Sequence, residues 1–131
     1  MNQYTKEVMK HFLKPKNAGI IKNADGIGRE GNQKCGDVME VYIKVGQKNN
    51  LEIIKEIKFK TLGCPAAIAS SDVLCEIAKG KTFQEAEKIS NTDIVKKLKG
   101  LPMIKIHCSV MGAKTLKKAI ENYKSKREKN G

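Results

Sequence analysis

Aromatic residues, arginine and long apolar runs are all scarce in this chain of 131 residues. Aromatics make up 5% of the sequence and tryptophan is absent, so few side chains can stack on nucleic-acid bases. Arg29 and Arg127 are the only arginines, and lysines spread along the chain supply nearly all of the net charge of +12. No window approaches the roughly 20 apolar residues that a membrane span needs. We therefore expect a soluble protein that binds neither membrane nor nucleic acid, and a basic nucleic-acid-binding module stays a remote alternative that rests on net charge alone.

Cysteine occurs four times, and the cellular compartment decides how these residues are interpreted. The N-terminal stretch MNQYTKEVMK has no apolar core of the kind that a secretory signal requires, so we expect a cytoplasmic location. In a reducing compartment, Cys35, Cys64, Cys75 and Cys108 favour metal or thiol chemistry over disulfides. The length fits one domain over 1–131, with a flexible glycine-rich segment before Cys35 and a frayed, basic C-terminal tail.

Apolar spacing predicts the first half of the fold. A helix is expected over about 3–14, ending at Pro15. The glycines at 19, 26, 28 and 31 predict an irregular segment, or at best a short edge strand. Alternating apolar residues then predict strands over about 38–45 and 53–63, joined by a turn at GQKNN and paired as an antiparallel hairpin.

Helices are predicted for the second half. One opens at Pro65 and closes at about residue 80, and a short one follows with Thr82 and Glu85 as its capping box. Another short helix has Asn91 or Thr92 as its cap, and the last runs over about 109–126. The order of elements predicts an α+β fold, a small antiparallel three-stranded sheet with helices packed on one side.

Three cysteines lie at predicted element ends. Cys35 precedes a strand, and Cys64 and Cys108 precede or open helices, where the helix dipole lowers a thiol pKa and favours the thiolate. Asp37 follows Cys35 at a spacing that suits an oxygen ligand on the same side, and His107 offers a nitrogen. The wide separations are a weak metal signal, so metal or thiol chemistry and no site at all both stay open on these residues alone.

The remaining reactive residues are interpreted as structural. His107 and Cys108 are adjacent, and neighbouring side chains diverge, so a nucleophile and base dyad is disfavoured. Cys75 lies mid-helix among apolar residues, which predicts a small buried hydrophobe. For His11, on the first helix, we expect no partner acid or thiol, which predicts a surface or packing histidine.

Five motifs together resemble one family: CGDVM at 35–39, TLGCPAAIASSD at 61–72, NTDI at 91–94, LPMIKIHCS at 101–109 and YKSKRE at 123–128. In order and spacing they are similar to the IscU iron–sulfur cluster assembly scaffolds and the N-terminal domain of NifU. The resemblance runs from about Tyr4 to the C-terminus. It implies a scaffold, not an enzyme, on which a transient 2Fe-2S cluster is built and then transferred to iron–sulfur acceptor proteins.

The resemblance also implies residue roles. Cys35, Cys64 and Cys108 correspond to the thiolate ligands, and Asp37 and His107 to exchangeable ligands. Cys108 corresponds to the acceptor of persulfide sulfur from a cysteine desulfurase. The same ligands suit iron during assembly and zinc when iron is absent. The protein is expected to be a monomer or a weak homo-oligomer.

Two comparisons within the family bear on partners and function. The segment that a dedicated Hsp70-type chaperone would recognise, Leu101, Pro102, Met103, Ile104 and Lys105, has Met103 where such members have a second proline, which weakens the expectation of chaperone binding. The alternative function is that of the SufU branch, zinc-bound sulfur acceptors for a desulfurase. SufU-like chains carry an insertion before the third cysteine and lack the preceding histidine, whereas this chain has the short interval and His107.

Overall fold

The computed structural model describes residues 5–32, 37–62, 65–100 and 107–130. Their elements are α1 (Lys6–Leu13), β1 (Gly26–Asn32), β2 (Asp37–Lys48), β3 (Leu51–Leu62), α2 (Pro65–Ala78), α3 (Phe83–Glu87), α4 (Asn91–Lys97) and α5 (His107–Asn130). The strands form one antiparallel sheet in the order β1-β2-β3. The predicted α+β architecture with a three-stranded antiparallel sheet is confirmed.

One face of the sheet is buried beneath the helices. Gly28 pairs with Val41, which pairs with Phe59, and all three are buried. The row beside it joins Ile43 to Ile57 in the same way. Because side chains alternate along a strand, the rows that alternate with these face outward, and the row next to Gly28 on the other side joins Arg29, Glu40 and Lys60. The apolar alternation predicted for the two long strands is therefore confirmed.

A tight hairpin joins β2 to β3. Asn49 and Asn50 have φ of 54° and 67°, and Lys48 pairs with Leu51 on either side of them. Positive φ at both central positions is the geometry of a type I′ turn, whose twist matches that of the strands. The predicted turn over GQKNN was too wide, since β2 continues through Lys48.

The glycine-rich segment contains a seven-residue edge strand that packs directly on α5. A Cβ atom at Gly26 would lie 2.3 Å from the carbonyl oxygen of Ala119, and one at Gly28 would lie 2.2 Å from that of Thr115. Glycine at these positions lets a helix backbone approach a strand backbone closely. Of the two expectations, the short edge strand is therefore confirmed over the irregular segment, and the flexibility of this segment stays a prediction.

Capping boxes start the two short helices. Thr82 closes the box of α3 as predicted. The cap of α4 is Ser90, whose hydroxyl accepts from the Asp93 amide while the Asp93 carboxylate accepts from the Ser90 amide. The predicted caps Asn91 and Thr92 are wrong, because this serine offers the same hydroxyl chemistry one residue earlier.

The last helix is longer than expected. It runs from His107 to Asn130, so the predicted bounds of about 109–126 were too short, and fraying of the basic tail stays a prediction. The guanidinium of Arg127 pairs with the Glu52 carboxylate and lies 5.6 Å from the centre of the Tyr123 ring. The ion pair with Glu52 ties the basic end of α5 to the start of β3.

The core lies between the sheet, α2 and α5. Phe59, Leu74, Leu116 and Ile120 are among its largest fully buried side chains. Of the helices in the described ranges, none has the length and apolar character needed to cross a membrane.

Candidate metal centre

The predicted ligands fall at the margins of the described chain. Cys35 and Cys64 lie outside it, and so does the proposed partner segment Leu101, Pro102, Met103, Ile104 and Lys105. Asp37 is the first residue of β2, and His107 and Cys108 are the first two of α5, but their side chains are outside the described part. The ligand set therefore stays a prediction, and its neighbourhood is defined by the flanking residues.

The strand ends that flank the predicted ligands lie side by side. Asn32, the last residue of β1, pairs with Asp37, and Val38 pairs with Leu62, the last residue of β3. The Thr61 hydroxyl donates to the Val38 carbonyl at 2.7 Å, which ties these strand ends further. Since α2 begins at residue 65, its start also lies near this end of the sheet.

The first turns of α5 reach the same end. A Cβ atom at Gly112 would lie 3.3 Å from Leu74 Cδ2 on α2 and 3.8 Å from Met39 Cε on β2. The Ser71 hydroxyl oxygen lies 3.5 Å from the Met39 sulfur, so α2 and β2 meet at this point as well. Gly112 is four residues after Cys108 and Met39 is two after Asp37. We call this region, where β1 and β3 end and β2, α2 and α5 begin, the site end.

A depression opens on the outward sheet face at the site end. It has a volume of about 440 Å³ and is lined by Arg29, Val38, Glu40, Lys60, Thr61 and Leu62. Arg29, Glu40 and Lys60 alternate in charge across the strands, and Leu62 is 67% exposed. The site end therefore presents both charged and apolar groups to solvent.

Cys75 is separate from this region and belongs to the core. Its side chain has no exposed surface and packs among the buried residues of α2. Burial raises the pKa of the Cys75 thiol well above its ordinary value, and the Asp72 carboxylate raises it further. A protonated, enclosed thiol is a poor ligand and nucleophile, so the predicted structural role is confirmed.

A polar cluster that the sequence did not reveal joins α1 to α2. His11 Nδ1 lies 2.6 Å from Asp72 Oδ2, so the expectation of a histidine without a nearby acid is wrong. The two residues are 61 positions apart and only the tertiary fold brings them together. One signal was available, since an aspartate in the middle of an apolar helix needs a buried partner.

Residues 3–130 match the family described as NifU-like N terminal domain. The match spans nearly the whole chain. The chain belongs to this family. The resemblance carried by the five motifs is thereby confirmed.

Named relatives of this NifU-like domain are scaffold proteins. The chain is 47% identical over 128 residues to the iron-sulfur cluster assembly scaffold protein IscU of Escherichia coli strain K12, covering 95% of this chain and 97% of that protein. It is 48% identical over 130 residues to the IscU scaffold of Buchnera aphidicola subsp. Schizaphis graminum, covering 97% and 98%.

A solved structure shows the same fold. The crystal structure of a candidate iron-sulfur cluster assembly scaffold for the SUF system from Fervidobacterium islandicum AW-1 superposes with a TM-score of 0.65. It is 25% identical in sequence, and the alignment covers 89% of this chain and 96% of that one. The α+β layer of the NifU-like domain is thus shared with a protein from the SUF branch.

Proposed function

We propose that this NifU-like domain is a scaffold on which a 2Fe-2S cluster is assembled from iron and sulfur and then handed to acceptor proteins. The observation that carries the proposal is the identity of 47% and 48% with the IscU scaffolds of two organisms over at least 95% of the chain. Similarity of this extent covers the three motifs that contain the predicted ligands, CGDVM, TLGCPAAIASSD and LPMIKIHCS.

The cluster is cargo, and we propose that Cys35, Cys64 and Cys108 hold it as thiolates. Thiolates are the usual ligands of iron–sulfur clusters. Asp37 and His107 are proposed as exchangeable ligands, because a carboxylate or an imidazole binds iron less firmly than a fourth thiolate and eases release. The meeting of the flanking described segments at the site end supports this ligand set.

Sulfur is proposed to arrive on Cys108 from a cysteine desulfurase. The Cys108 thiolate attacks the terminal sulfur of the desulfurase persulfide, so a new S–S bond forms on Cys108 and the desulfurase cysteine leaves as a thiolate. This exchange needs no external oxidant or reductant. Cys108 is the second residue of α5, and the positive end of the helix dipole favours the thiolate there.

Transfer partners complete the proposal. A scaffold ends its cycle without the cluster it carried, so we propose that the chain catalyses no turnover reaction of its own. We propose iron–sulfur acceptor proteins as the recipients of the cluster, and the reducing cytoplasm as the location. Residues 101–105 stay the proposed partner segment, and Met103 is the reason to expect weak or no binding of an Hsp70-type chaperone.

Anaerobic reconstitution tests the cluster assignment. The full chain is incubated with ferrous iron, cysteine, a cysteine desulfurase and a dithiol that reduces the persulfide sulfur to sulfide, and cluster formation is followed by visible absorption and Mössbauer spectroscopy. Ala variants at Cys35, Cys64 and Cys108 are expected to lose the cluster, and the matched control Cys75→Ala is expected to keep it. A stable cluster in Cys108→Ala with none in Cys75→Ala overturns the assignment.

The alternative function is zinc-bound sulfur acceptance, which the resemblance attaches to the SufU branch, and a protein of the SUF system shares the fold. It predicts that the purified chain retains one zinc ion and accepts desulfurase sulfur without ever forming a cluster. The same reconstitution separates the two functions, because only the scaffold exchanges zinc for a 2Fe-2S chromophore and passes it to an apo-ferredoxin.

A further inference from the structure

Three metal-binding side chains meet between α1 and α2, away from the site end. His11 Nδ1 lies 2.6 Å from Asp72 Oδ2 and 3.8 Å from Glu76 Oε2. One donor atom from each residue falls within 4.8 Å of the others. Asp72 and Glu76 are one helical turn apart on α2, so both carboxylates project from the same face towards the imidazole of α1.

We propose that His11, Asp72 and Glu76 bind one first-row divalent cation, such as Zn²⁺ or Fe²⁺. An imidazole and two carboxylates form a donor set that both ions accept, with further positions left for water. A proton between Nδ1 and Oδ2 holds the metal-free arrangement together. A cation can bind Nδ1 only when that atom carries no proton. On cation binding, a neutral imidazole therefore keeps its single proton on Nε2, and a charged imidazole releases its Nδ1 proton to solvent.

Neighbouring groups already orient the buried carboxylate. The backbone amide and the side-chain amide of Asn17 donate to Asp72 Oδ1 at 2.9 and 3.0 Å. Oδ2 is thereby left to face His11, which is the role that outer hydrogen bonds have around bound metals. The Asp72 side chain is 1% exposed and that of Glu76 is 44% exposed, so a cation could enter from the Glu76 side.

Charge also favours a cation at this cluster. Two carboxylates face one imidazole. Among the described ion pairs, the Lys97 ammonium is the nearest to Glu76, and it lies 3.9 Å from Oε1, the carboxylate oxygen that does not face His11. Asp72 lies seven residues after Pro65, about 10 Å along the axis of α2. The cluster is therefore separate from the proposed thiolate ligands and independent of the proposed function.

Cobalt titration of a cysteine-free site tests the proposal. The full chain carrying Cys35→Ser, Cys64→Ser and Cys108→Ser is titrated with Co²⁺ by calorimetry and visible absorption, and one equivalent is expected to bind. Adding Glu76→Gln is expected to weaken that binding by about tenfold or more. The matched control Glu121→Gln, an exposed carboxylate on α5, is expected to leave it unchanged.

The unsubstituted chain gives a second readout that does not depend on the serine variants folding. It has two histidines, and Co²⁺ is expected to shift the ring NMR signals of His11, assigned from His11→Gln, further in the unsubstituted chain than in Glu76→Gln, because Co²⁺ at the proposed thiolate ligands affects both chains alike. Co²⁺ binding that is equal in Glu76→Gln and Glu121→Gln overturns the proposal. So do unshifted His11 signals at a Co²⁺ concentration that saturates the protein.

Discussion

The two ends of the sheet are built differently. At the hairpin end, α5 is tied down by side chains, since Tyr123 and Arg127 both reach the Glu52 carboxylate at the start of β3. The rings of Phe83 and Tyr123 add an edge-to-face contact with centroids 5.5 Å apart. At the site end, the described residues include the last residues of β1 and β3, an exposed Leu62 and the glycine at 112, where α5 lies against β2 and α2.

The contacts that fix α5 and the residues predicted as ligands thus lie at opposite ends of the sheet. Ion pairs, rings and hydrogen bonds at the hairpin end fix α5 relative to the sheet. The predicted ligands flank the site end, and functional residues are common at the ends of elements on a rigid scaffold. Changes at the hairpin end should therefore alter the free energy of unfolding without altering the cluster.

The largest effect is expected where α5 crosses β1, midway between the two ends. In Gly28→Ala the new Cβ atom would lie 2.2 Å from the Thr115 carbonyl oxygen and 2.5 Å from the Ala119 amide nitrogen. Both are backbone atoms, so the helix must move away from the strand. We expect a loss of about 3 kcal/mol in the free energy of unfolding, measured by urea denaturation.

Gly112→Ala is the matched control at the site end. Its Cβ atom meets the flexible tip of Leu74 at 3.3 Å, which can shift slightly. Replacing glycine within a helix favours folding by roughly 0.5–1 kcal/mol, which offsets the tight contact. We expect a net change within about 0.5 kcal/mol, and equal losses in the two variants would contradict the distinction between backbone and side-chain contacts.

The next effect tests the hairpin end directly. Tyr123→Phe removes the hydroxyl that donates to Glu52 but keeps the ring against Phe83. We expect a loss of about 1 kcal/mol in the free energy of unfolding. The yield of reconstituted cluster per folded protein should stay the same, and a lower yield would show that the two ends are coupled.

Alkaline pH should weaken the hairpin end through the same tyrosine. Burial first, and the nearby Asp25 carboxylate second, raise the pKa of Tyr123 above its ordinary value of 10.0. The unfolded chain therefore loses the phenolic proton first, so stability is full below pH 10 and falls as the pH rises through the folded pKa. Urea midpoints between pH 9 and 11.5 should fall less steeply in Tyr123→Phe. A slope identical to that of the unsubstituted chain would rule this contribution out.

The sheet was predictable because its pattern is local. Alternation in β2 and β3 follows directly from one buried face, and the hairpin turn has asparagine where positive φ is required. β1 was harder to predict, because Gly26 and Gly28 lack side chains and so carry no alternation. Glycine is needed at these positions because the backbone of α5 at Thr115 and Ala119 lies against them. Those residues are about ninety positions away, so no local pattern contains them.

For the site, too, some features were predictable from the sequence and others were not. The five motifs predicted the family, which the comparison confirms, whereas the ligand roles of Cys35, Cys64 and Cys108 stay predictions. Burial of Cys75 followed from its apolar helical neighbours and is confirmed. The pairing of His11 with Asp72 could not be predicted, because a contact between two helices depends on their relative placement and not on either sequence alone.

The smallest effect is expected at the surface pair of the hairpin end. Lys124 Nζ lies 3.3 Å from Glu87 Oε1 and 5.9 Å from the centre of the Phe83 ring, and both charged side chains are about two-fifths exposed. Because solvent screens such pairs, Lys124→Gln should cost about 0.5 kcal/mol at low salt and less in 1 M NaCl. Lys117→Gln, an exposed lysine on the same helix, is the matched control and should change the free energy of unfolding less. Equal losses in the free energy of unfolding of both variants, with the same dependence on salt, would show that the loss comes from the change in net charge. The ion pair with Glu87 would then contribute nothing to the packing of α5 on α3.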